Sequence, residues 1–524
     1  GNGNDFSVGE AGDDYLDGGH GDDALHGGEG NDVIVDHFGN NLFFGDNGND
    51  YLIGGVGRDV QRGGNGNDTI EGAAGDDYIE GNGGNDFISA GVGDDYVLGG
   101  SQNDVIYGNE DNDSLFGGEG HDVIYGGAGS DFIDGGNGDD YLSDGGDGAD
   151  NVIFGGAGHD KIVVSDGNNL IDGGSGFDHI NAGIGNDIIY GNSGEDLIYA
   201  GAGADKIYAG TNDDRIYGQA GNDHIIGGQG ADLIYGDAGD DLLIGGTEND
   251  ALYGGADNDM LQGEVGDDYL QGDAGNDIIL GAEGADSLNG GVGHDLLNGG
   301  VGDDIYIYHA GDGEDVITEA AGYDVISLVD INKAEVILQR QADNLVINFV
   351  GKEGNITIKD QFVADNNKIE KLIFADDTEL TFTDTNINSP LVEVIDSSGE
   401  INDEAVQFGS FLLINEDDQI KIPLAIGTTL ISATSADGAV QQNADYLTFV
   451  VPQNFNGLTN FSYVLEDAEA NRVETNFTIA INPVNDAPIL NLVAAELNED
   501  SRIVIDVLAA ATDVEDTVVT DLAV

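Results

Sequence analysis

An aspartate recurs every nine residues along more than half of this 524-residue chain. The first series is Asp5, Asp14, Asp23, Asp32, Asp50, Asp59, Asp68, Asp77, Asp86, Asp95, Asp104, Asp113, Asp122, Asp131 and Asp140, with Asn41 as its one exception. Asp150 follows one residue late and Asp160 one late again. The phase then resumes through Asp178, Asp187, Asp196, Asp205, Asp214, Asp223, Asp232, Asp241, Asp250, Asp259, Asp268, Asp277, Asp286, Asp295 and Asp304, broken only by Asn169. Thirty-two of 34 places are therefore carboxylates. Carboxylate oxygens beside turn carbonyls make an all-oxygen donor set of flexible geometry. That set suits Ca2+ better than Mg2+ or a transition metal.

What positions these carboxylates is a short repeating unit. In GGAGSDFIDGGNGDDYL (126–142), each unit is a glycine-rich turn, an aspartate and a brief apolar run. Ile, Leu or Val stands two residues after nearly every aspartate, with Ser7, Gln61 and Tyr306 departing. Glycine usually stands two residues before it, with Gln102, Asp111, Asn212, Glu248 and Asp257 departing. The apolar run is too short for a helix and long enough for a three-residue strand. Glycine supplies the positive φ that tight turns need.

Composition narrows the function classes. The chain has 102 acidic and 14 basic residues, a formal charge of −88, and 88 glycines, well over twice the ordinary share. Such charge commonly signals disorder, but a disordered tract has no reason to hold one phase for 300 residues. The acidic excess excludes nucleic-acid binding, which needs a basic face. There is no cysteine to form a disulfide, and no apolar run of 18 residues to insert in a membrane. The opening GNGNDFSVGE is not a signal peptide.

The unit GGxGxDxUx, where U is a large aliphatic residue, resembles the nonapeptide of the RTX (repeat-in-toxin) calcium-binding β-roll family over about residues 1–385. The resemblance implies an all-β protein whose main domain, 1–304, is a parallel β-roll. Two units make one coil, so that residue i stacks on i+18 and the U residues fill a thin core. Seventeen coils at the ~4.8 Å strand spacing extend roughly 80 Å. Stacked carboxylates repel by about 3–4 kcal/mol per pair at an effective dielectric of 20, less where water screens them. The pairs with Asp at both ends imply about 25–30 Ca2+ ions. Extracellular calcium modules bind at ~10⁻⁴–10⁻³ M, so binding is expected to be the folding step. The Asn exceptions, both in GNNL, are expected to weaken neighbouring sites, and the register shift at 141–160 to bulge from a turn.

On the outer face, Tyr199, Tyr217, Tyr235 and Tyr253 fall eighteen apart and should stack on one sheet, with Tyr190 and Tyr208 on the other. They make a candidate interaction surface, or simply stabilise neighbouring strands. The matching places of the first series are mixed: Arg62, Glu71, Glu80 and Ser89.

After Asp304 the repeat grammar fades, although Asp315 and Asp324 echo it. Residues 305–385 resemble the β-rich region that follows such arrays and should cap the open end of the roll. From 386 to 484, strands such as YLTFVV and NFTIAIN suggest a β-sandwich. INEDDQIKI (414–422) and LNEDSRIVI (497–505) match, so 485–524 reads as the start of a second module. NED, NFNG and PVNDAP resemble the tandem cadherin-like modules of large bacterial surface proteins. Glu416, Asp417, Asp486, Glu499 and Asp500 are candidate junction ligands there, or solvated turn acids. The second module is too short to close, so the chain is expected to be part of a longer protein.

No HExxH, GxSxG or phosphate-loop motif occurs, and His121, His159 and His294 precede register aspartates as outward turn residues. The expectation is a non-enzymatic, secreted segment of a bacterial adhesin or surface protein, located outside the cell or on its surface. The resemblance implies type I secretion. The alternatives are a self-assembling filament or surface layer, or the export region of a secreted enzyme. Expected partners are calcium, a second copy of the chain, or cell-surface glycans bound through regions outside this sequence.

Overall fold

The computed structural model describes residues 1–341, 343–363 and 368–382, and beyond them the backbone of nine β-strands between 410 and 512. The chain divides into two compact units, Gly1–Glu393 and Val394–Val524.

The first unit is a parallel β-solenoid of about 18 turns. Its strands alternate between two parallel sheets, one beginning with Phe6–Ala11 and the other with Tyr15–Asp17. Register is eighteen residues in most coils, as in Phe87↔Val105 and Phe87↔Thr69, and twenty across the insertion, as in Phe132↔Val152. Identical units therefore lie over one another, and each side-chain type forms a column. The U column is the core: Leu25, Ile34, Leu52, Ile70, Ile79 and their successors have no exposed surface. Gln61 is buried in the same column and donates to the Glu71 carbonyl.

Turn residues two and four places before the register aspartate lie in the left-handed region. Gly203 has φ +147°, and a Cβ there would overlap the Gly185 carbonyl one coil away. The five departures from glycine keep the same turn: Gln102, Asp111, Asn212, Glu248 and Asp257 have φ between 75° and 82°. Asn and Asp are the side chains that tolerate this region best.

Stacking runs on past Asp304. Ile305–Tyr308 pairs with Ser287–Asn289, and Asp324–Leu328 pairs with Ile305–Tyr308, now at a twenty-residue offset. Asn355–Ile358 then takes the next rung on one sheet and Ile369–Ile373 on the other. The hairpin Val336–Gln341/Asn344–Phe349 joins Asn355–Ile358 in antiparallel fashion. Ile347, Ile356, Ile358 and Leu372 continue the same core.

In the second unit, Ser410–Asn415, Arg472–Asn482, Gly457–Glu466 and Thr429–Ser435 form a four-stranded sheet. Gln419–Pro423, Tyr446–Val450 and Ala439–Gln442 form a three-stranded one. Ile489–Leu490 pairs with Ala511–Thr512. Glu416, Asp417, Asp486, Glu499 and Asp500 lie outside the described residues.

Candidate metal sites

Because a coil contains two units, the register aspartates fall into two rows, one at each turn edge. From Asp23 onward the Oδ1 of each accepts a hydrogen bond from the backbone N–H of the register residue one coil earlier, as in Asp50 N–H to Asp68 at 2.8 Å and Asp196 N–H to Asp214 at 2.7 Å. One row is unbroken carboxylate from Asp14 through Asp140 and Asp160 to Asp304 and on to Asp324. The other runs from Asp5 to Asp315 and contains every amide: Asn41, Asn151 and Asn169.

Asn151 corrects the expectation for Asp150. The pairing Phe132↔Val152 fixes Asn151 as the register residue, and its Oδ1 accepts from Asp131 N–H at 2.8 Å. Both inserted residues lie in the turn between Asp140 and Asn151. Asp150 faces outward and accepts from Asn168 N–H at 2.6 Å. It belongs to a second, exposed ladder one residue before each register place, where Asn or Asp accepts the N–H of the residue eighteen further on. His121 and His159 do the same through Nδ1. The period alone does not reveal this outer ladder.

From Asp23 onward the register aspartates are buried, while Asp5 is exposed and Asp14 half-buried. From Asp14 to Asp304, and again at Asp324, the register Oδ2 atoms have no hydrogen-bond partner. A buried carboxylate oxygen left unpaired is strongly disfavoured. Burial, reinforced by neighbouring carboxylates, therefore pushes these groups up, to about 8 at Asp77, Asp104 and Asp214 and about 7 at Asp68 and Asp196. A row held this way requires a proton or a cation at each Oδ2.

The shape of the cradle fits a cation. A Cβ built on Gly135 would lie 2.6 Å from both Asp140 Oδ2 and the Gly155 carbonyl, and one on Gly99 would lie 2.6 Å from Asp104 Oδ2 and 2.7 Å from the Gly117 carbonyl. This glycine, the first of each unit, leaves open a space edged by a carboxylate and a carbonyl of the next coil. Calcium–oxygen distances of about 2.3–2.6 Å are of that scale. Ala90, Ala182, Ala200 and Ala209 stand in the same place, and there a methyl group takes part of the space. Three acids also stand there: Asp36, Asp144 and Glu319, all buried. Glu319 lies with Asp304 and Asp324 in a cluster whose ligand atoms are within 4.8 Å of one another. The sequence signal for all three was available as an acid where the unit calls for its first glycine.

On the outer faces, Tyr199, Tyr217, Tyr235 and Tyr253 stack at 4.9, 5.1 and 4.7 Å. Tyr190 and Tyr208 stack at 5.2 Å on the other sheet. The first half carries ladders too: Tyr78, Tyr96, Phe116, Phe132 and Phe154 follow one another at 5.2–5.6 Å.

Fold and carboxylate rows together define a calcium-binding parallel β-roll. The family described as "RTX calcium-binding nonapeptide repeat (4 copies)" matches overlapping segments that span residues 1–142 and 144–317. The chain belongs to that family, and its cofactor is Ca2+. The haemolysin-type calcium binding protein related domain matches residues 344–384. No curated protein matches. Among solved structures, the extracellular lipase LipA from Serratia marcescens is similar at 17% identity and a TM-score of 0.12, over 54% of this chain. The chain spans 42% of the lipase's length. At that TM-score the likeness carries no conclusion about activity. Among the described residues no helix is long and apolar enough to cross a membrane.

Proposed function

We propose that this chain is a secreted, calcium-dependent structural segment of a large bacterial surface protein, folding into a stiff rod outside the cell to hold an adhesive part away from it. The observation that carries the reading is the pair of buried Oδ2 rows, which have no partner within the protein. In calcium-poor cytosol the rows repel and the chain stays unfolded and exportable. In millimolar calcium about 25–30 ions neutralise them and the solenoid closes.

We assign residues 1–304 to the roll proper and 305–385 to its cap. In the second unit, a four-stranded and a three-stranded sheet support one cadherin-like sandwich at 386–484, with 485–524 as the start of a second. A non-enzymatic spacer is the simplest use of an array followed by such modules. The aromatic ladders favour a second reading, in which rods associate side by side into a filament.

Far-UV circular dichroism during a calcium titration, with sedimentation in parallel, tests both. A coil-to-β transition near millimolar calcium, not reproduced by magnesium, is expected. Large assemblies appearing with that transition would favour the filament over the spacer. A chain already β-folded in chelator at pH 8 would overturn the calcium-driven reading.

A further inference from the structure

The acids in the first-glycine place change the donor set of their coils. In ordinary coils the cradle is edged by a register Oδ2 and by the carbonyl of the first glycine one coil on, as at Gly54, where Asp59 Oδ2 lies at 2.6 Å and the Gly72 carbonyl at 2.8 Å. At Gly18 a second carboxylate comes forward. The two oxygens nearest that point are Asp23 Oδ2 and Asp36 Oδ2. Asp36 is fully buried; its Oδ1 accepts the N–H groups of His37 and Phe38 at 2.6 and 3.2 Å, and its Oδ2 has no partner. The backbone therefore aims this carboxylate into the cradle.

Acids stand in the first-glycine place twice more, at Asp144 and Glu319. Asp144 is 2% exposed, with Oδ2 held by Ser165 N–H at 3.0 Å and Oδ1 buried without a partner. Its carbonyl lies 3.2 Å from the point at Gly126 that also faces Asp131 Oδ2. Glu319 is held by Ala320 N–H and the Tyr306 hydroxyl beside Asp304 and Asp324, whose buried Oδ2 atoms are both unpartnered. Two of the three acids accompany a lost register carboxylate: Asp36 precedes Asn41, and Asp144 precedes Asn151. Asn169 has buried Val164 in that place and no such replacement.

We propose that Asp36, Asp144 and Glu319 form three additional-carboxylate calcium sites, with Asp23, with Asp131 and with the Asp304/Asp324 pair, that fill at lower calcium than the rest of the array. The physical reason is ligand charge. Each of these coils brings a side-chain carboxylate from the first-glycine place, where ordinary coils have only backbone to offer, and calcium affinity rises with the number of charged ligands. The inference rests on the reading that the Oδ2 rows bind calcium.

The test is equilibrium calcium binding by flow dialysis on the full chain, across free calcium from chelated to millimolar. A tight class of about three ions, filling at ~10-fold or more lower free calcium than the remainder, is expected. Asp36→Gly and Asp144→Gly restore the residue that ordinary units carry, and each should remove one ion from the tight class. Glu319→Gln, which retains hydrogen-bonding capacity toward Tyr306, should do the same. Asp196→Asn, in an ordinary coil, should remove an ion from the weaker class only. A tight class unchanged in the three variants, or a single uniform class, overturns the proposal while leaving the array reading intact. A variant that is β-folded in chelator at neutral pH with unchanged calcium binding would show a shared proton instead, and also overturns it. Absence of calcium binding by the unmodified chain would fail the array reading itself.

Discussion

On the proposed function a register aspartate is contested by two positive partners, a proton and a calcium ion, and the competition has a direction. Burial raises Asp77, Asp104 and Asp214 to about 8, against an ordinary 3.8. A group whose folded pKa lies above its unfolded one stabilises the fold fully below the unfolded value, and that contribution is lost as pH rises through the folded value. The calcium-free roll is therefore expected to gain β-structure in acid and lose it between about pH 6 and 8. Circular dichroism in chelator at a series of pH values checks this. Calcium binding at pH 7 should release protons, measurable with an indicator in weak buffer, and the calcium midpoint should fall as pH rises. Asn169 shows the alternative to a cation: its Nδ2 donates to Asp187 Oδ1 and to the Gly167 carbonyl, both at 3.0 Å. Asn169→Asp removes those donors and sets a carboxylate against Asp187. It should raise calcium stoichiometry by about one ion and destabilise the fold in chelator.

At the scale of the coil, the glycines decide how closely successive turns approach. Gly203 meets the Gly185 backbone rather than a side chain that could move aside. Gly203→Ala is therefore expected to cost more than about 1 kcal/mol, since it adds overlap to an unfavourable φ. The measurement is an increase in the calcium needed for half-maximal folding. Most of this architecture was legible in the sequence, because a nine-residue phase with U two places after Asp leaves one way to put every U inside. What escaped has equally physical causes. Period alone cannot say where within a turn two extra residues lie, so Asp150 stood for Asn151 until strand pairing fixed the register. Residues one and three places after the aspartate both face outward. The first-half ladder mixes the two places, Tyr96 with Phe116 and Phe132 with Phe154, and a search at one place misses it. A nine-residue count also hides that alternate aspartates belong to opposite edges, and so that one edge holds every amide.

That asymmetry matters to the solenoid as a whole. Stacked repeats are held by their nearest neighbours, so stability is local and the poorest rungs open first. Asn151 and Asn169 are consecutive rungs of one row, leaving two adjacent coils without a register carboxylate on that edge. In the same stretch the second sheet narrows to the three-residue strands Tyr141–Ser143, Lys161–Val163 and His179–Asn181, where most coils have six-residue ones. Fewer backbone hydrogen bonds and fewer register carboxylates coincide there, while the opposite row continues through Asp140, Asp160 and Asp178. As calcium is lowered, hydrogen exchange should therefore accelerate first in about residues 167–185, beyond the Asp144 site, ahead of the coils around Asp68–Asp122 and Asp196–Asp277. Loss of protection spreading only from the two ends would show that the continuous row alone couples the coils and that the broken row contributes little.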